Sequence, residues 1–285
     1  MGTTENAVTG PETSIPDGTK PASALFLHIQ KTAGTSIVQT ASRFYGTSLI
    51  SHVDHRGRSP EEFRETGFVS GHFGFDYARP LMTSRYSFTF LRDPVERVLS
   101  FYYFCRRSDP DQYLVYRLAR EKTMDAFLDM AEDHPQVRSY IWNHQAWQLA
   151  CGWDNPGGKS LAEYDPKRML KDAKAHLAGL DYIGFMETFD RDLARIFKAL
   201  GILCPEGFCR TNVGEPKPRA GELPLSTRQR LQRMTRLDQA LYDYARFLRW
   251  RRLWRPANVN RALFDYARSL RRKLVKEEPC RIPKN

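Results

Sequence analysis

Cysteine is scarce and odd in number: five residues, at positions 105, 151, 204, 209 and 280, with no repeated spacing. Such a set builds no disulfide framework and points to a reducing compartment. Cys204 and Cys209 could form half of a metal site, but no second pair and no suitably spaced histidines complete a ligand set. No metal is expected. Apolar runs are short as well, and none approaches the ~20 residues that a membrane span requires. The first 22 residues, rich in Thr, Pro, Gly and Asn, have neither a basic start nor an apolar stretch. Residues 1–22 therefore read as a disordered leader rather than a secretory signal. Asn6 stands where a myristoylation signal wants a hydroxyl residue. These absences lead us to expect a cytoplasmic protein, with at most a peripheral membrane contact.

Charge is plentiful but uneven. Of the net +11, the stretch from Arg228 to Lys276 supplies fifteen Lys or Arg against three Asp, so the rest of the chain is close to neutral. Within that stretch, Arg246 to Arg255 and Arg261 to Lys276 mix arginines with Trp, Leu and Phe. The mixture suits an acidic polymer, an anionic membrane surface or nucleic acid, and its plain alternative is a solvated helix face.

The body reads as alternating strands and helices. Residues 24–29 (ALFLHI), 67–73 (GFVSGHF), 86–91 (YSFTFL) and 182–185 have the β-branched and aromatic content of strands. Helical patterns follow over 36–44 with Thr35 as cap, and over 95–107 behind Asp93-Pro94, where proline and an acid suit a helix start. Further helical patterns cover 124–149, broken near 133–135, then 170–180, and 191–200 closed by Gly201. Alternation of this kind predicts an α/β fold with a central, mainly parallel sheet flanked by helices. The domain is expected over residues 23–225. A basic helical C-terminal extension, packed on the domain or following it, is expected over 226–285, with helices at 226–254, capped by Ser226 or Thr227, and at 260–275.

Between the first strand and its helix lies Gln30-Lys31-Thr32-Ala33-Gly34-Thr35-Ser36. A strand running through a short loop into a helix N-terminus gathers backbone N–H groups and the positive end of the helix dipole, which suits phosphate. Lys31 adds a mobile charge, Thr32, Thr35 and Ser36 add hydroxyls, and Gly34 permits close approach. The Walker order is missing, because Lys31 precedes the loop glycine instead of following it. In the second segment, Arg92 ends a strand and can fork two donors onto a phosphate, while Ser100 stands about 10 Å along the following helix.

LHIQKTAGTS resembles the loop that holds the 5′-phosphosulfate of 3′-phosphoadenosine 5′-phosphosulfate (PAPS) in membrane-type sulfotransferases. The nearest likeness is to the group with heparan sulfate and uronyl 2-O-sulfotransferases and their bacterial relatives. FTFLRDPVERVLSFYYF, at 88–104, resembles that group's 3′-phosphate site, and looser likeness continues through NHQAWQLACG, YIGFMETFD and the RTN segment at Arg210. The resemblance implies a P-loop-like three-layer fold. It also implies PAPS as donor without metal, Lys31, Thr32, Ala33, Gly34, Thr35, Ser36, Arg92 and Ser100 as donor-binding residues, and Lys31 on the leaving oxygen. His72, which ends a strand between the two motifs, is the implied base, with His144 as the rival candidate, and a base titrating near the working pH favours histidine. The heparan sulfate enzyme has a second histidine where this chain has Ser70. The expected acceptor is a hydroxyl on a glycan or glycolipid, with a phenol as the other candidate. Acceptor contacts are sought at His52 and His55 on a polar loop, and at Trp142 and His144, with Trp147 beside them. A magnesium-dependent P-loop small-molecule kinase and a non-catalytic polyanion- or membrane-binding protein are the competing classes. No specific nucleic acid is expected.

Overall fold

The computed structural model describes residues 20–155, 160–203 and 217–253. Its elements run β1 (Ala24–Leu27), α1 (Gly34–Tyr45), β2 (Leu49–Ile50), β3 (Phe68–Gly71), α2 (Phe75–Ala78), β4 (Tyr86–Leu91) and α3 (Pro94–Arg107). Then come α4 (Leu114–Glu121), α5 (Met124–Asp133), α6 (Pro135–Ile141), α7 (His144–Ala150), α8 (Pro166–Ala178), β5 (Tyr182–Phe185), α9 (Phe189–Ala199), α10 (Leu225–Met234) and α11 (Arg236–Leu253). The strands form one five-stranded sheet in the order β2-β3-β1-β4-β5, and every pair is parallel. This is the α/β, P-loop-like architecture expected from the alternation of strands and helices.

β1 sits in the middle, with Leu27 beside Gly71 of β3 and Thr89 of β4. Its four residues are all buried, as a strand covered on both faces requires. Phe26 stacks on Phe88 at 4.9 Å between centroids and on His28 at 5.0 Å, so the same ring packs the sheet and supports the loop beyond it. Phe26, Phe88, Phe90, Ile37, Ile196 and Phe197 form the core between the sheet, α1 and α9. A second, helical core joins α3, α4, α5, α6 and α10 through Tyr102, Phe127, Leu128, Val137 and Leu231.

Some boundaries differ from the sequence reading. The 226–254 pattern is two helices, divided at Thr235, and α10 begins at Leu225 with no side-chain cap from Ser226 or Thr227. Leu231, Met234 and Leu241 are fully buried, so α10 and the part of α11 up to Ala245 pack within the body. The compact unit runs to Ala245, beyond the boundary expected at residue 225, and a second unit begins at Arg246. Within the described part of that second unit, Phe247 and Trp250 are exposed and stack on each other. The expected leader, apart from its last residues, lies outside the described residues, as do the 260–275 helix, the Arg210 segment and the Cys204 and Cys209 pair.

Phe26→Ala should remove about 3–5 kcal/mol of stability, the usual cost of emptying a buried aromatic site. Urea unfolding of the variant checks this.

Candidate active site

The loop after β1 is held by backbone geometry that composition does not announce. Lys31 (φ 69°) and Ala33 (φ 62°) both take the left-handed conformation, uncommon for residues with a side chain. Between them the Thr32 hydroxyl donates to the Ile29 carbonyl at 2.7 Å. That bond uses the Thr32 hydroxyl to close the turn, where the sequence reading had it facing the ligand. The cap of α1 is Ala33, not Thr35, and it contributes no side-chain hydrogen bond. The first helical bond runs from the Ile37 N–H to the Ala33 carbonyl, so the helix end is open to an anion. Thr35 is exposed and Ser36 buried in the first turn.

Gly34 is required by a close neighbour. A Cβ placed there would lie 1.8 Å from His28 Nε2. His28, read from the sequence as a strand residue, thus presses its imidazole against the loop.

Four cations gather beside this helix end. The Lys31 ammonium rests 3.7 Å above the centroid of the Phe104 ring. Arg92 donates from Nη1 to the Lys31 carbonyl at 3.3 Å, joining the two sequence motifs. Burial lowers the Lys31 pKa to about 8, and Arg92, Arg107 and Lys217 add repulsion. Lys217 is likewise brought down to about 8, by burial first and then by Arg92. Its ammonium lies 3.7 Å from Glu96 on α3. Ser100 is half-buried on the same helix, one turn beyond Glu96 and one turn before Phe104. Arg107, seven residues on from Ser100, was legible as a neighbour from helical spacing. Lys217 carries no such signal, because it reaches the site from a distant segment.

Across the loop, His28, His52 and His72 form a cluster with ring centroids 4.3–5.6 Å apart. His72 Nδ1 lies 3.0 Å from the His28 carbonyl. A carbonyl only accepts, so Nδ1 carries the proton and the neutral ring keeps its lone pair on Nε2. Burial, opposed by that hydrogen bond and assisted by His52, lowers the His72 pKa to about 4. His28 is lowered by burial first, then by His72 and His52, and His52 is lowered by burial. At neutral pH the cluster is uncharged.

Other sequence candidates sit elsewhere. His55 is not on an open loop face: it is 2% exposed, packs on Phe73 and Tyr77, and places Nε2 2.9 Å from Asp154. His144 is fully buried, with Nδ1 donating to the Ser139 carbonyl, and Trp147 is buried beside it. Both are interior residues. Trp142 is half-buried under the Arg138 guanidinium at 4.2 Å. The exposed ring against Lys31 is instead Phe104, joined to exposed Tyr113 through edge contacts with Tyr116.

The open helix end, the close backbone at Gly34 and the cation group fit a ligand with more than one phosphate-like charge. A family model described as the sulfotransferase family matches residues 19–245. No curated protein matches the chain. Among the described residues no helix is long and apolar enough to cross a membrane.

Gly34→Ala should destabilise the protein by about 1–3 kcal/mol, as overpacking does. His28→Ala/Gly34→Ala should recover part of that loss, and a double-mutant cycle on thermal unfolding measures the coupling.

Proposed function

The chain belongs to the sulfotransferase family, and on that premise we propose that it transfers the sulfuryl group of PAPS to an acceptor hydroxyl with His72 as general base. One observation carries the reading: His28 packs against both the open helix end, where four cations gather, and His72, whose hydrogen bond leaves Nε2 unprotonated. PAPS, when bound, supplies the sulfuryl group and leaves as 3′-phosphoadenosine 5′-phosphate. In this reading the backbone N–H groups of Gly34 and Thr35 hold the 5′ end, and Arg92 and Ser100, with Lys217, hold the 3′-phosphate. Lys31 leaves the Phe104 ring and neutralises charge on the leaving oxygen, where fixed positive charge lowers the barrier most. His72 Nε2 takes the proton of the acceptor hydroxyl. No step calls for a metal, and magnesium-dependent kinase chemistry finds no lysine in the Walker position.

The acceptor in this reading is a glycan or glycolipid hydroxyl, the class suggested by the likeness to the heparan sulfate and uronyl 2-O-sulfotransferase group. Phe104, Tyr116 and Tyr113 offer the face along which a sugar or another flat acceptor would lie. Exposed Phe247 and Trp250 among arginines support a peripheral contact of the C-terminal segment with anionic lipid or polymer. Removing residues 256–285 together with Phe247→Ser and Trp250→Ser should reduce retention on anionic vesicles, and unchanged retention would contradict that contact.

Calorimetry with 3′-phosphoadenosine 5′-phosphate, without metal, should show binding that Arg92→Ala weakens by about 1.5–3 kcal/mol, the worth of hydrogen bonds to a charged group. His72→Ala should retain that binding and lose transfer from labelled PAPS. Lys31 is charged below about 8 and His72 is neutral above about 4. The kcat/KM profile for PAPS should therefore fall as pH rises through the first value and as it drops through the second. An acid limb at the ordinary histidine value would assign the base elsewhere.

A further inference from the structure

We propose that Gln148 and Gln145, one turn apart on α7, are positioning residues, the first for His72 and the second for Arg92. The inference rests on the reaction proposed above. Gln148 is fully buried. Its Nε2 donates to the His28 carbonyl and to the Phe73 carbonyl, both at 3.0 Å. Only the amide NH2 can serve two carbonyls, so its orientation follows from its partners. The His28 carbonyl is the same oxygen that receives the His72 Nδ1 proton. Phe73 is the residue after His72. One side chain thus fixes the acceptor that sets the His72 tautomer and the backbone that carries the His72 ring.

Gln145 treats Arg92 in the same manner. Its Oε1 accepts from the Arg92 N–H at 3.2 Å and its Nε2 donates to the Arg92 carbonyl at 3.0 Å. Both main-chain groups of Arg92 are engaged, leaving the guanidinium to point from a fixed root.

α7 is a firm base for this work. All seven of its residues are buried. The Ala146 N–H donates to Asp238 at 2.7 Å, the Leu237 N–H to Asn143 Oδ1 at 2.8 Å, and His176 to the Leu149 carbonyl at 2.8 Å. At its far end, the Gly74 N–H donates to the Trp153 carbonyl at 2.9 Å. A Cβ on Gly74 would fall 1.6 Å from the Cys151 carbonyl oxygen, so the two backbones touch where any side chain would part them. The peptide that follows Phe73 is therefore held at its carbonyl by α7 and at its N–H by the segment after α7.

The test replaces each glutamine in the full chain by methionine, which keeps the volume and removes the amide. Gln148→Met should bind 3′-phosphoadenosine 5′-phosphate within about twofold of wild type while kcat falls on the order of 10- to 100-fold, the usual consequence of a misplaced reacting group. Gln145→Met should do the reverse, weakening binding about tenfold with a smaller change in kcat. Imidazole 15N shifts of His72 should show Nδ1–H in wild type and a mixture of tautomers in Gln148→Met. Gln148→Glu, which donates only when protonated, should regain activity as pH falls. Loss of binding and kcat in equal measure in both methionine variants, with the His72 tautomer unchanged, would overturn the proposal. A wild type without transfer activity, but with the tautomer change in Gln148→Met, would support the positioning role and sink the transferase reading.

Discussion

The double pairing of β1 governs the rest of the structure. With β3 on one side and β4 on the other, all three running parallel, the residues after Leu27, Gly71 and Leu91 emerge at one edge of the sheet. The loop that carries Lys31, the turn that carries His72 and the Arg92 strand end are those three exits. In open parallel sheets, ligands bind in the crevice outside the strand ends at the point where connections diverge. Here β2 and β3 lie on one side of β1, and β4 and β5 on the other. Phe26 couples this arrangement to the site through its contacts with Phe88 and His28.

The chemistry follows from keeping unlike electrostatic environments apart. On the side of α3, Lys31, Arg92, Arg107 and Lys217 repel one another, and Glu96 is the carboxylate placed against Lys217. Desolvation makes such an arrangement costly without a counterion, which is the physical signature of a site built for an anion. On the side of β3, burial keeps His28, His52 and His72 neutral. A cationic histidine cluster would be repelled by Lys31, which follows His28 by three residues and opposes charge on it. A neutral cluster with a fixed lone pair on His72 is compatible with it, as the proposed role of His72 as base requires.

The regular elements were readable where side-chain pattern decides them. β4 and β5 fall at the residues expected, and Asp93 caps α3 by accepting from the Glu96 N–H. Elements set by tertiary contact were not readable. β2 has two residues, and α4 follows a polar stretch with no capping signal, so neither was expected. The Thr35 cap was wrong because two left-handed residues, Lys31 and Ala33, turn the chain before it, and neither is glycine. His55 looked open because its sequence neighbours are polar. Its partner, Asp154, is 99 residues away and its packing surface is Phe73 and Tyr77. The Walker-less loop, Arg92 and His72 were singled out through family likeness, whereas Gln145 and Gln148 sat in a segment where attention went to His144 and the tryptophans. Long-range hydrogen bonds of buried amides leave no periodicity to read.

The most direct measurement is a crystal structure of the full chain with 3′-phosphoadenosine 5′-phosphate. The account predicts the 5′-phosphate on the backbone at Gly34 and Thr35, with the Lys31 ammonium moved from the Phe104 ring onto it. It also predicts the 3′-phosphate against Arg92 and Ser100, and His72 Nε2 facing the open side of the 5′-phosphate. A nucleotide bound away from the start of α1, or bound there with Lys31 still on Phe104 and His72 remote from the 5′ end, would contradict it.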